Sequence, residues 1–181
     1  MVRSQARPLM EKVVLVDEEN RPIGVADKSI VHTKNTPLHR GFSLFLFNSK
    51  KELFVTQRAK TKKTFPGIWT NSLCGHPKQG EKIVEAGRRR LKEELGIVVA
   101  DIKEVSPYRY RFRGQNGILE NEICPILVVH ADVTPKPNPQ EVANWKWIKW
   151  KKFLREIKKN PQRYSPWSVE EALILEKILN L

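Results

Sequence analysis

Residues 81–95 read as one amphipathic helix, and most of what flanks them reads as strand. Ile83, Ala86, Leu91 and Leu95 recur at a spacing that puts them on one buried side, with Glu94 one turn beyond Arg90 on another. Gly96 follows where glycine ends a helix most easily, since it takes the left-handed backbone without steric penalty. Upstream, residues 13–16 predict a short strand closed by a polar turn over 17–21. The apolar runs 42–47 and 53–58, separated by five polar residues, predict a hairpin. Downstream, residues 105–113 and 118–130 predict a strand pair around Gly114-Gln115-Asn116-Gly117. Residues 145–150 alternate aromatic or aliphatic side chains with lysine, as an edge strand would. Two helices are expected to close the chain, the last opening at Ser165-Pro166, an N-cap residue followed by proline at the first helical position. The irregular stretches are 64–78 and 133–140, both broken by proline. Strands around one prominent helix predict the α/β (α+β) class with a mixed sheet.

The 181 residues suffice for one domain. Residues 1–10 are expected to be a flexible tail and 11–181 the domain. The longest apolar runs, 42–47 and 123–129, are too short to span a bilayer, and no apolar segment of a secretory signal follows Arg3 and Arg7. With two cysteines, Cys74 and Cys124, nothing points to an oxidising compartment, so a cytoplasmic location is expected. The net charge of +13 favours acidic ligands: nucleic acid, an anionic membrane or a phosphorylated small molecule. Most of the lysines behind it are expected to be solvated surface.

The sharpest motif begins at Gly75. Glu81 and Arg89 follow, and then Arg90-Leu91-Lys92-Glu93-Glu94-Leu95-Gly96-Ile97. Residues three and four apart on a helix share a surface, so carboxylates there can converge on a hard divalent cation that also binds diphosphate oxygens. The spacing resembles the Nudix box. It departs at one position, where Nudix hydrolases carry glutamate and this chain carries Arg90. A guanidinium removes a metal ligand or base and supplies a bidentate clamp for diphosphate. That predicts a protein that holds a diphosphate without cutting it. The alternative is a Nudix pyrophosphohydrolase acting on a diphosphate substrate, which predicts phosphate release. A basic RNA-binding module would need no Cys74 and would not explain paired glutamates beside ligand-spaced histidines.

Thr70-Asn71-Ser72-Leu73-Cys74-Gly75-His76-Pro77 overlaps the start of that box. Together with His32, His39, Glu120-Asn121-Glu122 and Ser165-Pro166-Trp167, it closely resembles the type I isopentenyl-diphosphate isomerase family of the Nudix superfamily, over nearly the whole chain. The resemblance implies a single Nudix-type domain, a mixed sheet sandwiched by helices. It implies one metal held by His32, His39, His76, Glu120 and Glu122; imidazoles and carboxylates together suit manganese or zinc better than calcium. It implies a second ion, magnesium, held by Glu94 and the substrate's diphosphate. Lys28, Arg58, Lys62 and Arg90 match the family's basic positions for that diphosphate.

The family's reaction moves a carbon–carbon double bond through a tertiary carbocation. Its proton carriers are, by resemblance, Cys74 on one face of the substrate and Glu122, with Tyr110 nearby, on the other. A thiol–thiolate pair is a reasonable proton carrier if neighbouring cations lower the Cys74 pKa. Trp167 is the family's candidate for stabilising the cation through its indole face. His130 and Cys124 are expected to be structural, and Lys60 and Lys63 to face solvent. The expected partner is a small-molecule diphosphate, with no nucleic acid and no membrane, acting on a monomer or weak dimer.

Overall fold

The structure, a computed structural model, describes residues 11–181, so the tail expected over 1–10 lies outside the described residues. The first strand, β1 (Lys12–Val16), pairs antiparallel with β2 (Pro22–Asp27). Their turn is fixed by Asp17 Oδ1, which accepts from the backbone N–H of Glu19 at 3.1 Å and of Arg21 at 2.8 Å. A single helical turn, α1 (Lys28–Val31), leads to His32. There follow β3 (His39–Arg40), β4 (Phe42–Phe47), β5 (Glu52–Arg58), β6 (Trp69–Thr70), β7 (Leu73–Gly75) and the helix α2 (Ile83–Leu95). The second half holds β8 (Lys103–Ser106), β9 (Arg109–Arg113), β10 (Leu119–Ile123), β11 (Ile126–His130), β12 (Val142–Lys149), α3 (Trp150–Lys159) and α4 (Pro166–Ile178).

These strands form two mixed sheets rather than one. The five-stranded sheet runs β2-β1-β3-β10-β9, and the other runs β12-β5-β4-β11-β8 with β6 added to β5 and β7 to β4. The expected long strand pair over 105–113 and 118–130 is therefore corrected. Only Arg109–Arg113 and Leu119–Ile123 pair around the Gly114–Gly117 turn, while Lys103–Ser106 and Ile126–His130 belong to the other sheet. Pro107 and Pro125 stand at the two breaks, where the missing N–H cannot continue a ladder. Gly41 makes the same crossing between β3 and β4, donating its N–H to Ile123 O at 2.9 Å, while Ser43 N–H donates to Pro125 O at 3.1 Å. The chain thus changes sheet three times side by side, and a seam results.

The hairpin expected from 42–47 and 53–58 holds at its turn but opens at once, with Phe47 opposite Leu53 as its one ladder pair. The segment 69–75, expected to be irregular, is wedged between the two strands as β6 and β7. Buried side chains replace the lost ladder bonds. Asn71 Nδ2 donates to Leu44 O at 3.1 Å, Ser72 Oγ donates to Phe54 O at 2.6 Å and accepts from Leu46 N–H at 2.8 Å, and Thr56 Oγ1 donates to Asn71 O at 3.0 Å.

Helices cover both faces of the larger sheet, in keeping with the alternation along β4. Phe42, Leu44 and Leu46 pack with Ala86, Leu91 and Leu95 of α2, whereas Phe45 and Phe47 pack with Phe153 and Ile157 of α3 and Leu175 of α4. Gly96 closes α2 at φ 65°, as expected of its position. The closing strand runs Val142–Lys149 at the sheet edge, and Trp150 already opens α3. Among the described residues no helix is long and apolar enough to cross a membrane.

Candidate active site

A cavity of about 250 Å³ opens at the seam, sized for a metabolite rather than a polymer. Glu122 and Glu120 reach it from β10 of the five-stranded sheet, while Cys74 reaches it from β7 of the other. His32 and His76 also line it, and His39 lies fully buried behind them.

His32, His39, His76 and Glu122 each offer a ligand atom within 4.8 Å of the others. Glu122 Oε1 is 3.4 Å from His39 Nε2 and 3.2 Å from His76 Nε2, and His32 Nε2 is 3.3 Å from Glu120 Oε2. The residues fit a divalent ion on two observations. His39 Nδ1 lies 2.9 Å from Pro37 O, so the ring donates there and Nε2 is the nitrogen turned to the cluster. His39 Nε2 and Glu120 Oε2 are then buried without a hydrogen-bond partner. Gly41 makes the approach possible: a Cβ there would lie 1.9 Å from Glu122 Oε2. Burial works to raise the Glu122 pKa, but His76 and His39 outweigh it and hold the carboxyl well below its usual range. Burial, helped by Lys28 and His39, pulls His76 down to about 4 against the pull of Glu122.

At the other end of the cavity the charges alternate. Arg90 donates from Nε to Glu94 Oε1 at 2.8 Å and reaches Glu11 at 3.3 Å; Lys28 pairs with Glu11 at 2.9 Å, and Lys62 with Glu141. Three cations thus face three carboxylates, and burial raises the pKa of Glu94 against the pull of Arg90. Arg58 stands apart, donating to Thr64 O at 2.9 Å and lying 5.7 Å over the Trp167 ring. Lys60 is exposed, as expected, whereas Lys63, also exposed, lines the cavity.

Trp167 is fully buried, stacked on Tyr110 at 5.6 Å between centroids and edge-on to Phe65 at 5.1 Å. Cys74 Sγ donates to Asn71 Oδ1 at 3.3 Å and lies 3.4 Å from Ser43 Oγ. The condition of a lowered thiol pKa is not met here. Burial, then the nearby Glu171 carboxyl, push Cys74 up to about 12, and Arg58 offsets only part of this, so the resting sulfur is a thiol. Cys124 is buried and His130 stacks on Phe47 at the surface, both as expected.

The NUDIX domain family matches residues 37–168. An isopentenyl-diphosphate Delta-isomerase of Saccharopolyspora erythraea is 45% identical over 170 residues, covering 93% of this chain and 88% of that protein. One from Klebsiella pneumoniae is 44% identical over 163 residues, covering 90% of this chain and 89% of its own. The chain belongs to the isopentenyl-diphosphate isomerase family, within the Nudix superfamily. The fold has wider company: a Deinococcus radiodurans protein matches with a TM-score of 0.67 at 22% identity, over 83% of this chain and 90% of that one. A MutT protein of Methanosarcina mazei matches at 0.65 and 16%, over 80% and 97%.

Within this member of the isomerase family, the residues given a catalytic, substrate or metal role from the sequence line this cavity, except His39, which lies behind it; Glu120 lines the cavity but falls outside the four-residue ligand set. Sequence reasoning missed Glu11, Glu141 and Glu171. Glu11 and Glu141 belong to no motif and come near only through the fold. Glu171 lies one helical turn after Trp167, a spacing that could have drawn notice.

Proposed function

We propose that this cavity isomerises isopentenyl diphosphate and dimethylallyl diphosphate by proton exchange from two opposing walls. The single observation that carries the reading is that Cys74 and Glu122, from different sheets, face the same small cavity. One wall gives a proton to the terminal alkene carbon, and a tertiary carbocation forms. The other wall takes a proton from the carbon next to the one bearing the diphosphate, and the double bond closes there. The roles exchange when the reaction runs backwards. Because Cys74 rests as a thiol and Glu122 as a carboxylate, one member of the pair is loaded and the other empty.

Lys28, Arg58, Lys62 and Arg90 hold the diphosphate, so the five-carbon tail points towards Cys74, Glu122 and Trp167. Trp167 offers its π face to the cation without offering a nucleophile, and Tyr110 backs it. Burial of this aromatic wall keeps out water, which would trap the cation as an alcohol. His32, His39, His76, Glu120 and Glu122 would hold manganese or zinc, and Glu94 magnesium with the diphosphate. When bound, these ions supply Lewis acidity and neutralise diphosphate charge. A cytoplasmic monomer or weak dimer completes the reading, since both cysteines are free and Cys74 must stay reduced. A pyrophosphohydrolase is disfavoured by Arg90, which fills the place of a carboxylate and is bonded to Glu94.

The test is conversion of labelled isopentenyl diphosphate, with and without chelator. Cys74→Ala and Glu122→Gln are each expected to abolish turnover while circular dichroism keeps the wild-type spectrum. Full activity in Cys74→Ala, or phosphate release in place of isomerisation, would refute the reading.

A further inference from the structure

Glu171 is a carboxyl group in an inhospitable place. It lies within α4, one turn after Trp167, so both side chains project from the same side of the helix. It is 0% exposed, and neither of its oxygens makes a hydrogen bond of normal geometry among the described residues. Ser43 stands beside it, and its hydroxyl favours the charged carboxylate while burial, the larger effect, opposes it. Ser43 Oγ in turn lies 3.4 Å from Cys74 Sγ and 3.5 Å from Cys124 Sγ, and Ser43 faces Cys74 across the β4–β7 ladder. An apolar residue at 171 would fill the space without desolvating a carboxyl group. The acid therefore works against stability where it stands, and its use must lie in its neighbours.

Those neighbours tie α4 to the thiol by two polar routes. One runs from the start of the helix: Ser165 Oγ lies 2.8 Å from Thr70 Oγ1, which donates to Asn71 Oδ1 at 2.8 Å, the atom that also accepts from Cys74 at 3.3 Å. The other runs from Glu171 through Ser43. Ser43 has a single proton and two sulfur atoms in reach, so its direction is undecided unless something fixes its oxygen.

Resting on the reading of Cys74 as a proton carrier, we propose that Glu171 is a positioning residue for the Cys74 sulfur, acting through Ser43. Burial keeps its carboxyl neutral, pushing the pKa well above the usual carboxylate range. In that form it donates O–H to Ser43 Oγ, and Ser43 donates to Cys74 rather than to Cys124. The thiol is then held towards the substrate, and the helix that carries Trp167 sets the direction of the sulfur.

The experiment compares Glu171→Leu, Glu171→Gln, Ser43→Ala, the Ser43→Ala/Glu171→Leu double variant and Cys74→Ala in the metal-loaded enzyme with isopentenyl diphosphate. Melting temperature and bound metal are measured beside kcat and KM. Glu171→Leu is expected to lower kcat by about 10- to 100-fold, the loss typical of a misplaced reacting group, with KM within about twofold. Its melting temperature should stay level or rise, which a structural role would not produce. Glu171→Gln should restore most of kcat, because its amide N–H also donates to Ser43. Ser43→Ala should match Glu171→Leu, and the double variant should fall no further. Wild-type kcat in Glu171→Leu or Ser43→Ala, or losses that multiply in the double variant, would overturn the proposal. If Glu171→Leu does not fold, Ser43→Ala decides by the same criterion. Full activity in Cys74→Ala would instead remove the reading beneath it, whereas an inactive Cys74→Ala beside a wild-type Glu171→Leu removes this proposal alone.

Discussion

Gly41→Ala is a one-methyl perturbation whose consequence can be worked from the structure. The residue joins β3 to β4 at the seam, and its N–H bond to Ile123 O survives the substitution. Its backbone is outside the left-handed region, so alanine adds no conformational strain of its own. The new Cβ would lie 1.9 Å from Glu122 Oε2, where ordinary contact begins near 3.4 Å, so the oxygen must withdraw by about 1.5 Å. The same carboxyl group faces His39 at 3.4 Å and His76 at 3.2 Å, and a shift of that size undoes both approaches. Misplacement of a reacting group by about 1 Å lowers rates by about 100-fold, or about 2.7 kcal/mol of barrier. Gly41→Ala should therefore lower kcat by about 100-fold or more. It should also weaken manganese or zinc binding, read by titration against a competing chelator, while the metal-free protein melts near the wild-type temperature. Gly24→Ala is the control, since its Cβ meets only Leu15 Cδ1 at 4.0 Å. Wild-type turnover and metal affinity in Gly41→Ala would refute the placement of Glu122 and the cluster built on it.

Three further outcomes are expected. Asn71→Ala leaves the Leu44 and Leu73 carbonyls of the wedge without their donors; the loss should be about 2 kcal/mol and lower the melting temperature by about 4–8 °C, measured by calorimetry. Glu11 is held down to about 2 by Lys28 and Arg90 despite its burial, so its contribution is present above the unfolded value of 4.5 and lost as pH falls towards 2. Melting curves of wild type and Glu11→Gln should accordingly differ above pH 4.5 and converge near pH 2; parallel curves would contradict the pairing. Chelation should lower the melting temperature by about 5–10 °C for an ion held at about 100 times its dissociation constant, with recovery on adding manganese or zinc. An unchanged melt would argue against the histidine site.

How far the site could be read in advance depended on whether its parts lay close in sequence. Cys74, Gly75 and His76 form one run, Glu120 and Glu122 alternate along one strand, and Arg90 and Glu94 stand one helical turn apart. Each spacing carries its geometry with it, so these residues were legible. The seam was not. Residues 105–113 and 118–130 have the patterning of continuous strands, and local pattern cannot reveal that a proline marks a change of sheet rather than a bend. The wedge of Thr70–Gly75 was equally hidden, because its buried Asn71 and Ser72 bond to the backbone of Leu44, Leu46 and Phe54, far away in sequence.

The sequence by itself determined the helix that bears Arg90 and Glu94, the alternation that sends Glu120 and Glu122 to one side, and the family to which those motifs belong. These are local properties, set by the periods of helix and strand. Tertiary structure brought Cys74 and Glu122 to one cavity from different sheets, and it raised the pKa of Cys74. It also brought Glu171 beside Ser43 from 128 positions further along the chain. The physical reason is that burial and the field of distant charges depend on what the fold packs around a residue, and no neighbour in sequence records that.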